Sequence, residues 1–175
     1  MTVSPRNIIR WVGIACVIIG AYMIIMSAAT PPVKNLDSTG TTIVAFGDSL
    51  VYGKGSTSGQ DFVSLLSARI GTPIINLGVS GDTTTAGLAR IDEVLVQDPR
   101  LVIVLLGGND FLRRIPMTTT FANLGTIVER IQAQGAAVLL LGVRGGLLYD
   151  SYDDDFRDFA REHGVAFVPN VLDGL

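Results

Sequence analysis

The sequence predicts an α/β fold with three layers, in which a parallel five-stranded sheet lies between two layers of helices. Short runs of apolar and β-branched residues alternate five times with segments whose apolar residues recur at helical spacing. This alternation is typical of parallel sheets whose connecting helices cover both faces. The predicted strands are residues 42–46, 73–79, 101–106, 136–143 and 165–168.

The segments between these strands are predicted to be helical. The clearest begins after Asp61, whose carboxylate can cap the first turn, and ends at Gly71. Gly135 and Gly164 are expected to end two later helices in the same way. The predicted helices are residues 62–70, 85–97, 120–134 and 151–163.

Composition excludes several classes of protein. Apolar residues make up 48% of the 175 residues and charged residues 17%, which is enough apolar surface for a folded domain. The net charge of -3 provides no basic surplus for binding nucleic acid. The single cysteine, Cys16, cannot form an intrachain disulfide. We expect neither a metal nor another cofactor.

The N-terminal part of the chain is predicted to be a membrane segment. Residues 11–29 carry no charge and follow Arg6 and Arg10. A helix of this length rises about 28 Å, close to the thickness of the bilayer's hydrocarbon core. The preceding arginines place the N-terminus in the cytoplasm by the positive-inside rule.

Three regions follow from this interpretation. We expect a membrane anchor over residues 1–29, a linker over 30–40 that contains two prolines, and a domain over 41–175 outside the cytoplasm. A signal peptide cut after Ser27-Ala28-Ala29, which would release the domain, is the alternative.

The loops after the first three predicted strands contain the residues suited to catalysis. The first loop contains Ser49, the second Gly78 and the third Asn109, separated by 29 and 31 positions. These intervals are close to one βαβ step, about 30 residues, so the loops are expected to meet at one edge of the sheet. A serine in such a loop can be a nucleophile, and a glycine N–H and an asparagine amide directed at one point would form an oxyanion hole.

The segments FGDSL, NLGVSGDTT and LGGND resemble the first three sequence blocks of the SGNH, or GDSL, hydrolase family. The resemblance covers residues 42–173 and is greatest to arylesterase, thioesterase I and lysophospholipase-like members. It implies a flavodoxin-like SGNH hydrolase fold and a serine hydrolase that cleaves a small ester or thioester, or a lipid.

The resemblance also implies the roles of individual residues. Ser49 is the expected nucleophile, and the Ser49 N–H, the Gly78 N–H and the Asn109 side chain are the expected oxyanion donors. We assign Asp48 and Gly108 to substrate binding. The α/β-hydrolase elbow G-x-S-x-G is absent, because Val51 stands where its second glycine would be.

The family's last block, Asp-x-x-His, follows the fifth strand and supplies the general base. The only histidine here, His163, precedes the predicted fifth strand in the last turn of a helix, so we expect it at the opposite edge from Ser49. We expect that the sequence is truncated before this block. An inactive protein that keeps the pocket and binds esters or carbohydrates is the alternative.

Two further interpretations concern function. A carbohydrate O-acetylesterase on the same fold is the alternative activity. The acidic residues between 150 and 158 are expected at a helix start, where the helix dipole favours negative charge, and not at a cation site.

Overall fold

The computed structural model describes residues 32–142 and 150–171. In the second of these ranges, side chains are described from residue 154 onward. Within these residues one parallel sheet has the strand order β2-β1-β3-β4-β5, which confirms the predicted α/β fold with five parallel strands. The strands are β1 (Thr42–Gly47), β2 (Ile74–Gly78), β3 (Pro99–Leu105), β4 (Ala137–Leu141) and β5 (Ala166–Val168).

Helices connect the strands. Asp61 caps the helix after it by accepting a 2.9 Å hydrogen bond from the Ser64 N–H, and Gly71 ends that helix with a φ of 64°. Both predictions are confirmed. The helices are α1 (Ser49–Tyr52), α2 (Phe62–Ile70), α3 (Thr84–Ala89), α4 (Asp92–Leu95), α5 (Gly108–Leu112), α6 (Met117–Ala133) and α7 (Asp150–His163).

Both faces of the sheet are buried, because successive strand residues point to opposite sides. Val44 and Phe46 of β1 pack into one apolar cluster together with residues of α4, α6 and α7. Ile43 and Ala45 of the same strand pack into a second cluster together with residues of α1 and α2. The central strands are therefore covered on both sides, as their nearly continuous apolar sequences predict.

One predicted helix is wrong in its extent. Residues 85–97 form two short helices, α3 and α4, because Arg90 leaves the helical conformation at φ -118° and ψ 18°. Its side chain, 14% exposed, bonds to the carbonyl oxygens of Gly47 and Leu77 at the ends of β1 and β2. These contacts fix Arg90 at the junction of the two short helices.

Part of the predicted linker belongs to the folded domain. The Lys34 N–H donates to the Gly164 carbonyl at 2.9 Å, and Asn35 Nδ2 donates to the carbonyl oxygens of Gln132 and Ala136 at 2.9 and 3.0 Å. Asn35 thereby binds one carbonyl group in the last turn of α6 and one in the loop between α6 and β4. In the part of the chain that the structure describes, no helix has the length and apolar character needed to cross a membrane. Residues 11–29 lie outside that part.

Candidate active site

Ser49 is the first residue of α1 and follows β1 after a single residue, Asp48. Asp48 Oδ1 caps this helix by accepting a 2.9 Å hydrogen bond from the Leu50 N–H, and Gly53 ends it in the left-handed conformation. N–H groups in the first turn of a helix have no partner within the helix. Within residues 32–142 and 150–171, no hydrogen bond is recorded for the N–H or the hydroxyl of Ser49, which is half-buried.

Asn109 connects the three loops that were predicted to meet. It is the second residue of α5, and its Nδ2 donates to Asp48 Oδ2 at 3.1 Å and to the Asp82 carbonyl oxygen at 2.9 Å. Asp48 follows β1, Asp82 follows β2 and Asn109 follows β3. The structure therefore brings Asp48, Ser49 and Asn109 to one edge of the sheet. Gly108 is also at this edge, because a Cβ built on it would lie 3.7 Å from Asp48 Oδ2.

A buried carboxylate fixes the position of α5. Asp110 is fully buried and accepts hydrogen bonds from the Thr84 N–H at 2.8 Å, from the Thr84 hydroxyl, and from the Thr120 hydroxyl at 3.3 Å. These bonds connect α5 to α3 and α6. The residue next to Asn109 is thus anchored in the core, which restricts the position of the Asn109 amide.

Gly78 lies at the same edge, but its N–H is used within its own segment. It donates a 2.9 Å hydrogen bond to Asn76 Oδ1, and Asn76 Nδ2 donates to the Val51 carbonyl oxygen at 2.7 Å. A Cβ at Gly78 would lie 2.2 Å from the Tyr52 backbone nitrogen. The geometry therefore explains a glycine here by the close packing of α1 on β2, and gives no support to its N–H as a donor to substrate.

Gly81 is a residue that sequence reasoning missed. Its φ of 89° is in the left-handed region, and its carbonyl oxygen accepts a 2.8 Å hydrogen bond from Arg113 Nη2. The next carbonyl oxygen, that of Asp82, is bonded to Asn109. No acceptor is recorded for the Gly81 N–H among the residues that the structure describes. The one available signal was a second glycine in the segment NLGVSGDTT, three positions after Gly78.

His163 is far from these residues along the strand direction. It ends α7, just before β5, whereas Ser49 follows the end of β1, and the strands are parallel. Its ring lies 4.2 Å from that of Phe159, and its carbonyl oxygen accepts a hydrogen bond from Gln132 Nε2 at 3.0 Å. The expected position of His163 at the opposite edge agrees with this arrangement.

The Asp48 carboxylate is in an unusual electrostatic environment. It is 4% exposed, and burial raises its pKa above the ordinary value of 3.8. The hydrogen bond from the Leu50 N–H lowers the pKa, and the nearby charge of Asp82 raises it further. Because both carboxylate oxygens accept hydrogen bonds from protein groups, the geometry indicates that Asp48 orders the site and gives no support to a contact with substrate.

Comparisons with known proteins agree with this geometry. The sequence profile of the GDSL-like lipase/acylhydrolase family matches residues 45–173. Esterase TesA of Pseudomonas aeruginosa is 32% identical over 145 residues, which cover 77% of this chain and 72% of that protein. Thioesterase 1/protease 1/lysophospholipase L1 of Escherichia coli is 32% identical over 140 residues, 75% of this chain and 67% of that protein.

Solved structures show the same similarity in three dimensions. The crystal structure of AlinE4, an SGNH-hydrolase family esterase, superposes with a TM-score of 0.70 at 38% identity. The match covers 77% of this chain and 79% of that chain.

The raised pKa of Asp48 predicts how stability changes with pH. A carboxyl group whose pKa is raised on folding contributes stability below its unfolded pKa and loses that contribution as the pH rises through the folded pKa. The free energy of unfolding of the wild type, relative to that of Asp48→Asn, should therefore fall as the pH rises above 3.8. Chemical denaturation of both proteins over a pH series measures this difference.

Asp61 provides a control of opposite sign. Hydrogen bonds from the Ser64 side chain and backbone lower its pKa below 3.8. Its contribution to stability is present above 3.8 and is lost as the pH falls through the folded pKa. The wild type should therefore lose its advantage over Asp61→Asn on acidification. The expected effect would be contradicted if the wild type's stability relative to each of the two variants changed with pH in the same direction. It would also be contradicted if its stability relative to Asp48→Asn did not change with pH.

Proposed function

Because this chain belongs to the GDSL-like lipase/acylhydrolase family and is a serine hydrolase acting on ester bonds, we propose that it forms its acyl-enzyme on Ser49. The observation that carries this assignment is the pair of hydrogen bonds from Asn109, one to Asp48 beside Ser49 and one to the loop after β2. A serine, a free first-turn N–H and a fixed amide thereby lie together at the carboxyl edge of the sheet.

The proposed reaction has two steps. Ser49 Oγ attacks the carbonyl carbon of a carboxylic ester or thioester while its proton passes to a base, and the alcohol or thiol leaves with a proton. Water then attacks the acyl-enzyme, which releases the carboxylic acid and restores the Ser49 hydroxyl. A serine hydroxyl is a weak nucleophile until a base accepts its proton, and the position of His163 argues against its being that base.

Three donors are proposed for the oxyanion that develops in each step. The Ser49 N–H is in the first turn of α1, and the Gly81 N–H replaces the Gly78 N–H of the sequence-based assignment. The Asn109 amide is the third donor. Both of its hydrogens are directed at Asp48 and Asp82, and the bond to Asp48 is the longer at 3.1 Å. We propose that this amide hydrogen is drawn toward the oxyanion in the transition state.

Asp48 and Gly108 take different roles in this proposal. Asp48 positions the Leu50 N–H and the Asn109 amide. Gly108 is next to Asn109, and a Cβ on it would lie 3.7 Å from Asp48 Oδ2; the absence of a side chain leaves room for the substrate in front of these groups.

The surroundings of Ser49 favour substrates with an apolar acyl or aryl group. Tyr52, Val79 and Leu112 are 61%, 44% and 76% exposed, and they lie on the segments that carry Ser49, Gly81 and Asn109. Side chains exposed on these segments are available to contact an apolar acyl or aryl group of the substrate. Relatives that carry the names esterase, thioesterase and lysophospholipase support small esters, thioesters and lipids as candidate substrates.

We also propose that the hydrolase domain lies outside the cytoplasm. The support is the uncharged run at residues 11–29 after Arg6 and Arg10. This segment anchors the domain in the membrane, with release by signal cleavage as the alternative.

The nucleophile is tested by covalent labelling of the full-length protein. A fluorophosphonate probe should label it, and Ser49→Ala should abolish both labelling and ester hydrolysis because no acyl-enzyme can form. Ser80→Ala is the matched control, since Ser80 is exposed and adjacent to Gly81. Labelling that persists in Ser49→Ala would identify another nucleophile.

The oxyanion role of Asn109 is tested by kinetics. Asn109→Ala should lower kcat by about 10²–10³-fold with little change in KM, because the bond to the oxyanion strengthens in the transition state. Asn123→Ala is the control, since the Asn123 amide bonds only to hydroxyl groups of Thr84 and Thr85 among the described residues. A change confined to KM would make Asn109 a ground-state binding residue instead.

The proposed location is tested with a reporter fusion. A reporter enzyme that is active only outside the cytoplasm, fused after Gly40, should be active. Replacement of Arg6 and Arg10 by glutamate should reduce this activity if the positive-inside rule sets the orientation. A fusion that is inactive, although the protein is expressed, would contradict export. N-terminal sequencing of the mature protein separates an anchor from a cleaved signal.

A further inference from the structure

Arg90 makes a set of contacts that the proposed reaction does not yet use. Its Nη2 donates to the carbonyl oxygens of Gly47 and Leu77 at 3.1 and 3.0 Å, and its Nε donates to Asp82 Oδ2 at 2.7 Å. The guanidinium carbon lies 4.4 Å from the centre of the Phe46 ring, where a cation and an aromatic face attract each other. The side chain is 14% exposed, so these bonds are largely shielded from water.

A fourth hydrogen bond, from Arg90 Nη1 to Glu93 Oε2 at 3.4 Å, is exposed. The other three partners lie at the ends of β1 and β2 or in the loop after β2. Gly47 is the last residue of β1 and is separated from Ser49 by one residue, and Leu77 is the next-to-last residue of β2, paired with Phe46. Asp82 provides the carbonyl oxygen that the Asn109 amide contacts at 2.9 Å. One planar cation thus connects the segment of the nucleophile to the segment that orients an oxyanion donor.

The positive charge of Arg90 compensates for the negative charge of the buried carboxylates at this edge of the sheet. Asp82 is 8% exposed and its charge acts on the nearby Asp48 carboxylate, which is itself buried. Two buried carboxylates in proximity repel each other unless a cation compensates for them. Loss of Arg90 would leave Asp82 without this ion pair and favour a displacement of the loop that holds Asn109.

We propose that Arg90 is a positioning residue for ester hydrolysis, which fixes Ser49 and Asn109 relative to each other through the strand ends and Asp82. The proposal rests on the proposed roles of Ser49 and Asn109. Arg90 touches no reacting atom, so its effect is on the distance between the nucleophile and the oxyanion donors. A displacement of about 1 Å in such an arrangement lowers a rate by about 10²-fold.

The test compares Arg90→Lys and Arg90→Ala in the full-length protein with an aryl ester as substrate. A lysine keeps the charge near Asp82 but lacks the planar fork that reaches two carbonyl oxygens as well. We expect kcat to fall by about 10²-fold in Arg90→Lys with KM within about threefold of the wild type. The rate at which a fluorophosphonate labels Ser49 should fall in parallel.

Chemical rescue separates positioning from a loss of folding. Methylguanidinium, at concentrations that do not denature the protein, should raise the kcat of Arg90→Ala at least about tenfold if it restores the missing bonds. Methylammonium should not. If Arg90→Ala fails to fold, the kinetics of Arg90→Lys, whose folded fraction is measured by circular dichroism, decide the question.

Arg130→Gln is the matched control. Arg130 of α6 also pairs with a carboxylate, Asp92, but its side chain is 40% exposed and the described contacts do not reach β1 or β2. The kcat of Arg130→Gln should stay at the wild-type value. The inference is overturned if Arg90→Lys has wild-type kcat, or if its kcat falls only as far as its folded fraction. Hydrolysis that persists in Ser49→Ala would instead overturn the proposed function.

Discussion

Strand β1 lies between β2 and β3, and its last residue, Gly47, pairs with Gly78 on one side and Leu105 on the other. Because all three strands are parallel and end at one level, the loops that follow them start from neighbouring points. A Cβ at Gly47 would lie 2.2 Å from the Leu105 carbonyl oxygen, so this pairing leaves no space for a larger residue. The positions of Ser49, Gly81 and Asn109 all depend on this shared end of three strands.

The site is built from buried polar groups that would be costly if they were unpaired. Asp48, Asp82 and Asp110 are each less than 10% exposed, and each accepts hydrogen bonds from protein groups. Removing a carboxylate from water is unfavourable unless such donors replace the water. The Leu50 N–H caps α1 locally, whereas the bonds from Asn109 to Asp48, from Thr84 and Thr120 to Asp110 and from Arg90 to Asp82 connect different segments. The cost of burial is therefore offset by bonds that also restrict the catalytic groups, which explains why acidic residues occur in the interior of this edge.

The sequence pattern predicted the elements that local physical chemistry determines. Apolar alternation located the strands, and the cap at Asp61 and the left-handed glycine at Gly71 located α2, because each signal depends on a few adjacent residues. The break at Arg90 was missed, since its cause is a contact with Gly47, 43 positions away. Similarly, spacing indicated a glycine in the second loop, but only the hydrogen bond from Gly78 to Asn76 shows which N–H is already used.

Helix direction explains why this edge and not the other contains the site. Helices that connect parallel strands run opposite to them, so helix N-termini and their free N–H groups lie at the carboxyl edge of the sheet. Ser49 and Asn109 are the first and second residues of helices of four and five residues. Helices this short have little macrodipole, so in the proposed mechanism the oxyanion is stabilised by individual first-turn N–H groups and the Asn109 amide. His163, at the C-terminal end of a 14-residue helix, lies instead at the amino edge, where helix ends present carbonyl groups in place of free N–H groups.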